Sequence, residues 1–259
     1  MPCYSPLYGY RGSRLTVNGK REIIFRHKVD GFQERASRHV DYVTLPCGGC
    51  IGCRLDRSRD WAIRCFHESS LYTRNCFLTL TYSDVNLPVS GSVSVREIQL
   101  FMKRLRKRFG DGIRFFHCGE YGSRLRRPHY HVLVFNFDFE DRVLWSERNG
   151  TRLFVSKTLE DLWGKGFCTI GDVTFESAGY VARYILKKVT GDSSPMYYGG
   201  LNPEYVTMSR RPGIGYGWYK KYKNDVYPEG SVVVNGVKYV APSYYDKLYA
   251  IDILLDGSV

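Results

Sequence analysis

The chain has 259 residues, of which 43% are hydrophobic and 25% are charged, so it has enough apolar material for a core and is not disordered throughout. Its 38 Lys and Arg exceed its 26 Asp and Glu, and the formal net charge of +12 favours a polyanionic partner such as nucleic acid. The sequence shows no secretory signal and no apolar run of membrane length. We therefore expect a cytoplasmic protein that enters no membrane and whose eight cysteines are reduced or bind metal.

A cluster of cysteines is the first distinctive feature along the chain. Cys47, Cys50 and Cys53 stand at every third position, a spacing at which thiolates can wrap one zinc ion. Zinc takes four ligands, and Cys3 or Cys65 could supply the fourth. The sequence therefore allows a structural zinc site, and the alternative is a set of reduced thiols near the start of a helix.

Periodic patterns predict the secondary structure of the rest of the chain. The predicted elements in chain order are an irregular segment 1–45 with a strand at 23–25, a helix after residue 53, a strand at 76–82, a helix after residue 94, strands at 113–120 and 129–137, a helix at 158–163, a strand at 167–173, a helix at 178–189 and a hairpin within 231–240. Ser94 and Glu97 form the pattern of a capping box, and Asn235-Gly236 is a strong hairpin turn signal. This order predicts an α+β fold, in which helices cover an antiparallel sheet and the tail from residue 195 is an appended hairpin region.

Two histidines on one predicted strand are candidate metal ligands. Side chains alternate along a strand, so His129 and His131 point to the same face. Glu120 ends the preceding strand and could reach the pair across a hairpin, although it could also be an exposed turn residue. His117 is the rival third ligand, but it has the opposite parity to Glu120 along the strand. Two imidazoles and a carboxylate suit Mg²⁺ or Mn²⁺ at a phosphate centre.

Two tyrosines on the last predicted core helix are candidate nucleophiles. Residues four apart share a helix face, so Tyr180, Tyr184, Lys187 and Lys188 form one polar stripe beside an apolar stripe that includes Val181. A tyrosine can attack phosphorus and store the energy of the broken bond in a phosphotyrosine link. A nearby ammonium group would stabilise the developing charge. The alternative is that both tyrosines pack at the edge between helix and sheet.

Basic side chains near these groups are candidate contacts for DNA phosphates. A basic turn joins the two central strands, and further cations lie on the tyrosine helix. The residues predicted to bind DNA are Arg124, Arg126, Arg127, Arg183 and Lys188.

The three central segments together resemble the motifs of a known family. Residues 77–81, 128–135 and 180–188 resemble the three motifs of HUH-type rolling-circle replication initiators, in the two-tyrosine form found in microviruses. Three further segments resemble the replication initiation proteins of gokushoviruses, which are small single-stranded DNA phages: 47–53, 209–216 and 244–247.

The resemblance implies a five-stranded antiparallel sheet of the RRM or ferredoxin-like type, flanked by helices. It implies an irregular Cys-rich segment 1–53, an endonuclease core 54–190 and a C-terminal extension 191–259. It also implies that Tyr180 or Tyr184 nicks one strand of the double-stranded replicative DNA at an origin, where single-stranded DNA is the bound partner, forms a covalent 5′-phosphotyrosine and later closes the strand. Lys187 would assist the chemistry, and His129, His131 and Glu120 would hold Mg²⁺ or Mn²⁺.

The same resemblance places the activity in the cytoplasm of an infected bacterium. The sequence contains no Gly-rich loop of the Walker type, so unwinding would need a separate host helicase. Three other readings stay open: a non-catalytic nucleic-acid-binding module, a zinc-stabilised structural or packaging protein, and a relaxase or transposase of the same superfamily.

Overall fold

The structure is a computed structural model that describes residues 3–16, 21–25, 42–187, 189 and 194–256, apart from the side chains of 185–187. The chain separates into two compact units, Met1–Arg57 and Ser58–Val259. None of the helices in the described part is both long and apolar enough to cross a membrane. The division predicted at residues 53 and 190 stays a prediction.

The first unit contains a small antiparallel sheet. Its strands are β1 (Leu7–Leu15), β2 (Arg21–Phe25) and β3 (Tyr42–Leu45), in the order β2-β1-β3. The predicted strand at 23–25 is confirmed as part of β2. The prediction that the segment around it is irregular is wrong for β1, whose Gly and Arg residues hide the alternation that usually identifies a strand.

The second unit is built on a seven-stranded antiparallel sheet. Its strands are β4 (Asn75–Leu80), β5 (Arg114–Tyr121), β6 (Pro128–Phe135), β7 (Val143–Arg148), β8 (Thr151–Val155), β9 (Cys168–Gly171) and β10 (Tyr205–Met208). Their order is β10-β5-β6-β4-β9-β8-β7. The predicted α+β fold with a flanked antiparallel sheet is confirmed, and the sheet has two strands more than the five expected.

The three strands of this sheet that were not predicted from the sequence, β7, β8 and β10, lie at its two edges. The β7–β8 hairpin turns at Asn149 and Gly150, which both have positive φ, so its Asn-Gly signal was available in the sequence. Strand β10 comes from the tail and pairs with β5, with Tyr205 opposite Gly119. The tail therefore contributes to the main sheet as well as forming the predicted hairpin.

Helices cover both faces of the sheet. The helices are α1 (Ile51–Ser69), α2 (Val95–Phe109), α3 (Lys157–Trp163), α4 (Phe175–Lys187), α5 (Ser194–Tyr198), α6 (Tyr216–Val226) and α7 (Ser243–Leu255). Phe101 of α2 and Trp163 of α3 pack on the face that carries Tyr130 and Val132. Val181 of α4 packs with residues of the other face, among them Leu133 and Phe135. Because side chains alternate along β6, its even-numbered and odd-numbered residues belong to two different cores, one on each face of the sheet.

Part of the tail forms a third core around α1. The hairpin of β11 (Ser231–Val234) and β12 (Val237–Val240) is confirmed, with the predicted turn at Asn235-Gly236. Val232 and Val234 pack with Ile63 of α1.

The capping box predicted at the start of α2 does not form. Ser94 is the N-cap residue, but its side chain makes no cap hydrogen bond. Its backbone bonds instead to two tyrosines: its N–H donates to the hydroxyl of buried Tyr130 at 3.0 Å, and its carbonyl accepts from the hydroxyl of half-buried Tyr205 at 3.0 Å. Glu97 forms an ion pair with Lys165 at 2.8 Å rather than returning to the cap.

Candidate metal and tyrosine site

The pairing of β5 with β6 sets the positions of the predicted ligands. Glu120 lies opposite His129 in the register of the two strands, and Cys118 lies opposite His131. Because alternate residues share a face, Glu120, His129 and His131 project from the same side of the sheet. His117 lies opposite a residue of the other face and packs edge-on against Tyr205, so the structure does not bring this rival to the group.

The absence of a side chain at Gly119 allows β10 to approach beside Glu120. A Cβ atom at this position would lie 2.7 Å from the ring of Tyr205 and 3.2 Å from the ring of Tyr130. Both rings belong to the core on the other face of the sheet. Because residue 119 is a glycine, strand β5, which carries Glu120, can pack closely between β10 and β6.

The carboxylate of Glu120 meets both imidazoles. Its Oε1 atom is 2.8 Å from Nε2 of His129 and 3.1 Å from Nε2 of His131. Glu120 and His131 are buried, whereas His129 is half-buried. The three ligand atoms lie within 4.8 Å of one another, so one ion could contact all of them. The structure thus brings together the three residues predicted from the sequence.

The other ring nitrogens hold the imidazoles in this orientation. Nδ1 of His129 is 3.2 Å from the carbonyl oxygen of Arg127. Nδ1 of His131 is 3.1 Å from the hydroxyl of Thr79. These contacts turn both Nε2 atoms toward the carboxylate of Glu120. This is the arrangement in which histidines bind metal, so the donor set fits a divalent cation.

Helix α4 places both tyrosines against the same imidazole. The ring of Tyr184 stacks on the ring of His131 at 5.4 Å and 14°, and that of Tyr180 meets it edge-on at 5.2 Å. The two tyrosine rings are themselves 5.1 Å apart. Val181 and Ala178 anchor the helix, since both are completely buried in the core below.

The two tyrosines have different environments. Tyr184 is only 5% exposed, whereas Tyr180 is 38% exposed. Burial raises the pKa of Tyr184 well above its ordinary value, and its hydrogen bonds to Tyr180 and to the Glu120 carboxylate raise this pKa further. Tyr184 therefore stays a neutral phenol at neutral pH. Both tyrosines were predicted to share one helix face, and both rings contact His131 on the sheet.

An open groove of about 520 Å³ leads to the group. Thr79, His129, His131 and Tyr180 line it, and Tyr184 does not. The β5–β6 turn forms one wall, with the exposed side chain of Arg124. A phosphodiester entering this groove would meet the imidazoles and the hydroxyl of Tyr180 together.

The basic residues predicted to contact DNA have different roles in the structure. Arg127 is used internally, because its guanidinium bonds to Asp84 at 2.6 Å and to the carbonyl of Tyr82 at 2.9 Å. Arg126 donates to the carbonyl of Tyr197 at 3.2 Å. Arg124 and Arg183 are exposed.

The other residues predicted to contact DNA or assist the chemistry lie on or just after α4. The guanidinium of Arg183 lies 5.9 Å from the centre of the ring of Tyr180, which lines the groove. Lys188 and the side chain of Lys187 lie outside the described residues, so their predicted roles stay predictions.

Two residues of β4 belong to the site; both lie in the segment 77–81 that resembles a family motif, but no role was predicted for either of them. The hydroxyl of Thr79 contacts Nδ1 of His131, and the ring of Phe77 stacks on the ring of His131, with centroids 5.6 Å apart and planes inclined by 22°. Thr79 lies directly opposite His131 in the strand register, and Phe77 is two residues away on the same face. The alternation within residues 76–80 was a usable signal, but the pairing of β4 with β6 was needed to interpret it.

Comparison with known proteins gives consistent results. The family model described as replication-associated protein ORF2/G2P matches residues 75–189, which contain every side chain of the site described above. Replication-associated protein VP4 of Bdellovibrio phage phiMH2K is 35% identical over 260 residues, covering 96% of this chain and 77% of that protein.

Two further relatives have similar names. Replication-associated protein ORF2 of Spiroplasma virus 4 is 34% identical, over 95% of this chain and 80% of the relative. Replication-associated protein ORF4 of Chlamydia phage 1 is 30% identical, over 79% of this chain and 53% of the relative. No solved structure matches the chain.

Proposed function

This chain belongs to the family of phage replication-associated proteins, and on that premise we propose that it is a site-specific single-strand DNA endonuclease and strand transferase that initiates and terminates rolling-circle replication. The observation that carries the proposal is the direct packing of two tyrosine rings on His131, one of three side chains whose ligand atoms converge. Binding of nucleic acid alone would need neither the buried carboxylate nor the convergent Nε2 atoms.

The proposed reaction is a transesterification. The phenolic oxygen of Tyr180 forms a bond to phosphorus, and the bond from phosphorus to the 3′ oxygen breaks. The phenol gives up its proton and the 3′ oxygen takes one up, so the net transfer is from the tyrosine to the leaving 3′ hydroxyl, and the 5′ phosphate stays on the tyrosine. Attack by a free 3′ hydroxyl reverses these steps and rejoins a strand without another energy source.

A divalent cation, Mg²⁺ or Mn²⁺, bound by Glu120, His129 and His131 would stabilise the charge that develops on the phosphate oxygens. The side chains of the protein orient the reactants. Thr79 and the carbonyl of Arg127 hold the imidazoles, and α4 holds the ring of Tyr180 at the groove. Arg124 and Arg183, which are both exposed, are proposed to attract the phosphates of a single strand, and Lys187 is proposed to assist the leaving or attacking oxygen.

The burial of the two tyrosines supports an order of action. Tyr180 lines the groove and is accessible to a phosphodiester, so we assign it the first attack. Tyr184 lies behind it with its hydroxyl bonded to Glu120, so it is assigned the second transfer, after Tyr180 has become esterified and its hydrogen bond to Tyr184 is lost. Unwinding is assigned to a host helicase, and the site of action to the cytoplasm of the infected bacterium.

The test is the formation of a covalent adduct. The protein is incubated with Mn²⁺ and labelled single-stranded oligonucleotides that together cover the phage origin, and the products are run on a denaturing gel. We expect an adduct that disappears in the double variant Tyr180→Phe, Tyr184→Phe. Tyr197→Phe is the matched control, since Tyr197 is 48% exposed and outside the groove. Tight binding of the oligonucleotides without any adduct would instead favour a non-catalytic binding module.

A further inference from the structure

A second group of metal-ligand side chains lies in the first compact unit, Met1–Arg57. We propose that Cys3, Cys47, Cys50 and Cys53 bind one zinc ion as a tetrahedral tetrathiolate site. The four Sγ atoms lie within 4.8 Å of one another, although Cys3 is 44 positions before Cys47 in the chain. This proposal is independent of the proposed endonuclease activity, because none of these residues belongs to the site of Glu120, His129 and His131.

The sulfur separations are those of a single small ion. In a tetrahedral site with zinc–sulfur bonds of about 2.3 Å, neighbouring sulfurs are about 3.8 Å apart. The Sγ atoms of Cys3 and Cys50 are 3.8 Å apart. A four-iron cluster places inorganic sulfide and several irons between its thiolates and therefore needs them farther apart. The group is thus compact enough for one ion and too compact for a cluster.

Backbone amides already surround the sulfurs as they would surround thiolates. The N–H of Cys47 donates to Sγ of Cys3 at 3.3 Å, and that of Cys50 donates to Sγ of Cys47 at 3.3 Å. The N–H of Tyr4 donates to Sγ of Cys50 at 3.4 Å. Such contacts stabilise negative charge on sulfur and orient it, which is the role of outer groups at metal sites.

The local chain geometry presents the four sulfurs from three directions. Cys3 precedes β1, and Cys47 follows β3, which pairs with β1 so that Leu7 lies opposite Leu45. Between Cys47 and Cys50 the chain turns through Gly48, whose φ of +71° is open to glycine at little cost. Cys50 and Cys53 lie at the first turn of α1. Cys65, the other candidate for fourth ligand, is completely buried in the core of the second unit and is not in the group.

The electrostatic surroundings suit a negatively charged site. Four thiolates and Zn²⁺ carry a net charge of −2. The first turn of α1 contains no acidic residue, and the amino end of a helix attracts negative charge. The guanidinium of Arg57 donates to the carbonyl of Gly48 at 3.3 Å, which holds a cation beside the cysteine loop.

The first unit has too little buried apolar surface to be stable without another stabilising group such as a metal ion. Among residues 3–16, 21–25 and 42–57, Cys53 is the only buried hydrophobic side chain. A three-stranded sheet with so little apolar burial is the kind of small unit that metals commonly stabilise. The zinc would tie the start of β1, the end of β3 and the start of α1 together, and it would take no part in phosphoryl transfer.

The test measures the metal content and ligand type of the full-length protein. Wild-type protein is loaded with ZnCl₂, dialysed against metal-free buffer and analysed by elemental mass spectrometry. We expect one tightly held zinc per chain, released when an organomercurial reagent titrates the thiols. Replacement by CoCl₂ should give sulfur-to-cobalt charge-transfer bands in the near ultraviolet and the intense visible bands of tetrahedral cobalt.

Variants separate this site from the other one. Cys50→Ser and Cys47→Ser should lose the zinc, whereas Cys168→Ala, which changes a buried cysteine of the second unit, should keep it. The double variant His129→Ala, His131→Ala should also keep the zinc and the cobalt–thiolate bands, even if it loses all nuclease activity. Wild-type protein that binds no zinc while its thiols are reduced, or that retains iron instead, would overturn the proposal. So would loss of zinc from the histidine variant alone.

Discussion

The ring of Tyr184 lies parallel to the ring of His131, with centroids 5.4 Å apart and planes inclined by 14°. The opposite neighbour of the same imidazole is Phe77, stacked at 5.6 Å. One candidate metal ligand is therefore held between the tyrosine helix and β4. As a result, the docking of α4 and the orientation of the His131 ring are coupled, and a change in one should be detectable in the other.

Replacing the carboxylate tests the third ligand. In Glu120→Gln we expect the affinity for Mn²⁺ to fall by about 100-fold or more, because a charged oxygen donor becomes a neutral amide while the shape is kept. Isothermal titration with Mn²⁺ measures this change. Glu204→Gln is the control, since Glu204 is also buried but bonds to Tyr198. An unchanged Mn²⁺ affinity in Glu120→Gln would remove Glu120 from the ligand set.

Removing the hydroxyl that holds His131 tests the outer contacts. In Thr79→Val we expect Mn²⁺ affinity to fall by about 10- to 100-fold, since Nδ1 of His131 loses its partner at 3.1 Å. Thr81→Val is the matched control, because the hydroxyl of Thr81 bonds to the carbonyl of Phe167 instead. Equal losses of affinity in the two variants would show that the hydroxyl of Thr79 has no specific role.

The single tyrosine variants test the assigned order. We expect Tyr180→Phe to form less than about 1% of the wild-type adduct with origin DNA, because the accessible nucleophile is absent. Tyr184→Phe should still form the adduct and should fail to transfer the strand to a second cleavage site. A suicide oligonucleotide and a two-site joining assay, both read on denaturing gels, measure the two steps. Adduct formation that depends on Tyr184 alone would reverse the order.

His67 should make stability depend on pH. Its buried ring stacks on Trp218 and its Nδ1 lies 3.1 Å from the hydroxyl of Tyr245, and burial lowers its pKa from 6.5 to about 3. Below pH 6.5 the unfolded chain takes up a proton that the folded chain does not, so the contribution to stability is complete above pH 6.5 and is lost as the pH falls toward 3. The expected slope is up to about 1.4 kcal/mol per pH unit.

Urea unfolding at a series of pH values measures this slope. In His67→Gln the slope between pH 6.5 and pH 4 should decrease, whereas the curves of variant and wild type should run parallel above pH 7. His117, whose pKa burial also lowers to about 3, supplies a similar slope that remains in the variant. Identical slopes for the two proteins across the whole range would mean that His67 is not buried as a neutral ring.

Gly119 should be the least tolerant glycine of the sheet. A methyl group there would lie 2.7 Å from the ring of Tyr205, and we expect Gly119→Ala to lower the free energy of unfolding by about 1–3 kcal/mol. Gly171→Ala on β9 is the control, because the nearest atom would be at 3.5 Å, which is an ordinary contact. Urea unfolding of both variants measures the difference. Equal stabilities would show that β10 can shift away without cost.

The site was largely predictable because its geometry follows from local periodicity. Alternation along β6 placed His129 and His131 on one face, and the opposite parity of Glu120 and His117 allowed only one of the two to join them. The register of β5 with β6 shows that this residue is Glu120. Helical spacing likewise put Tyr180 and Tyr184 together. These rules act over a few residues, so they need no knowledge of the whole fold.

The features that were missed depend on contacts between distant segments. The role of Thr79 follows from the pairing of β4 with β6, and the position of β10 follows from a strand about 90 residues after its partner β5. The unequal burial of the two tyrosines is also a tertiary property. Polar side chains on a helix normally contact solvent, whereas Tyr184 is buried against the polar side chains of the sheet and bonds to Glu120.

Strand β10 also determines what would happen to a shortened chain. It covers the backbone of residues 116–119 of β5, next to the strand that carries both histidines. A fragment limited to 75–189, the region that the family model matches, would leave these N–H and C=O groups as a bare template for strand addition by another chain. Self-association through that edge would be the expected behaviour of the fragment, so β10 is expected to protect the main sheet from aggregation.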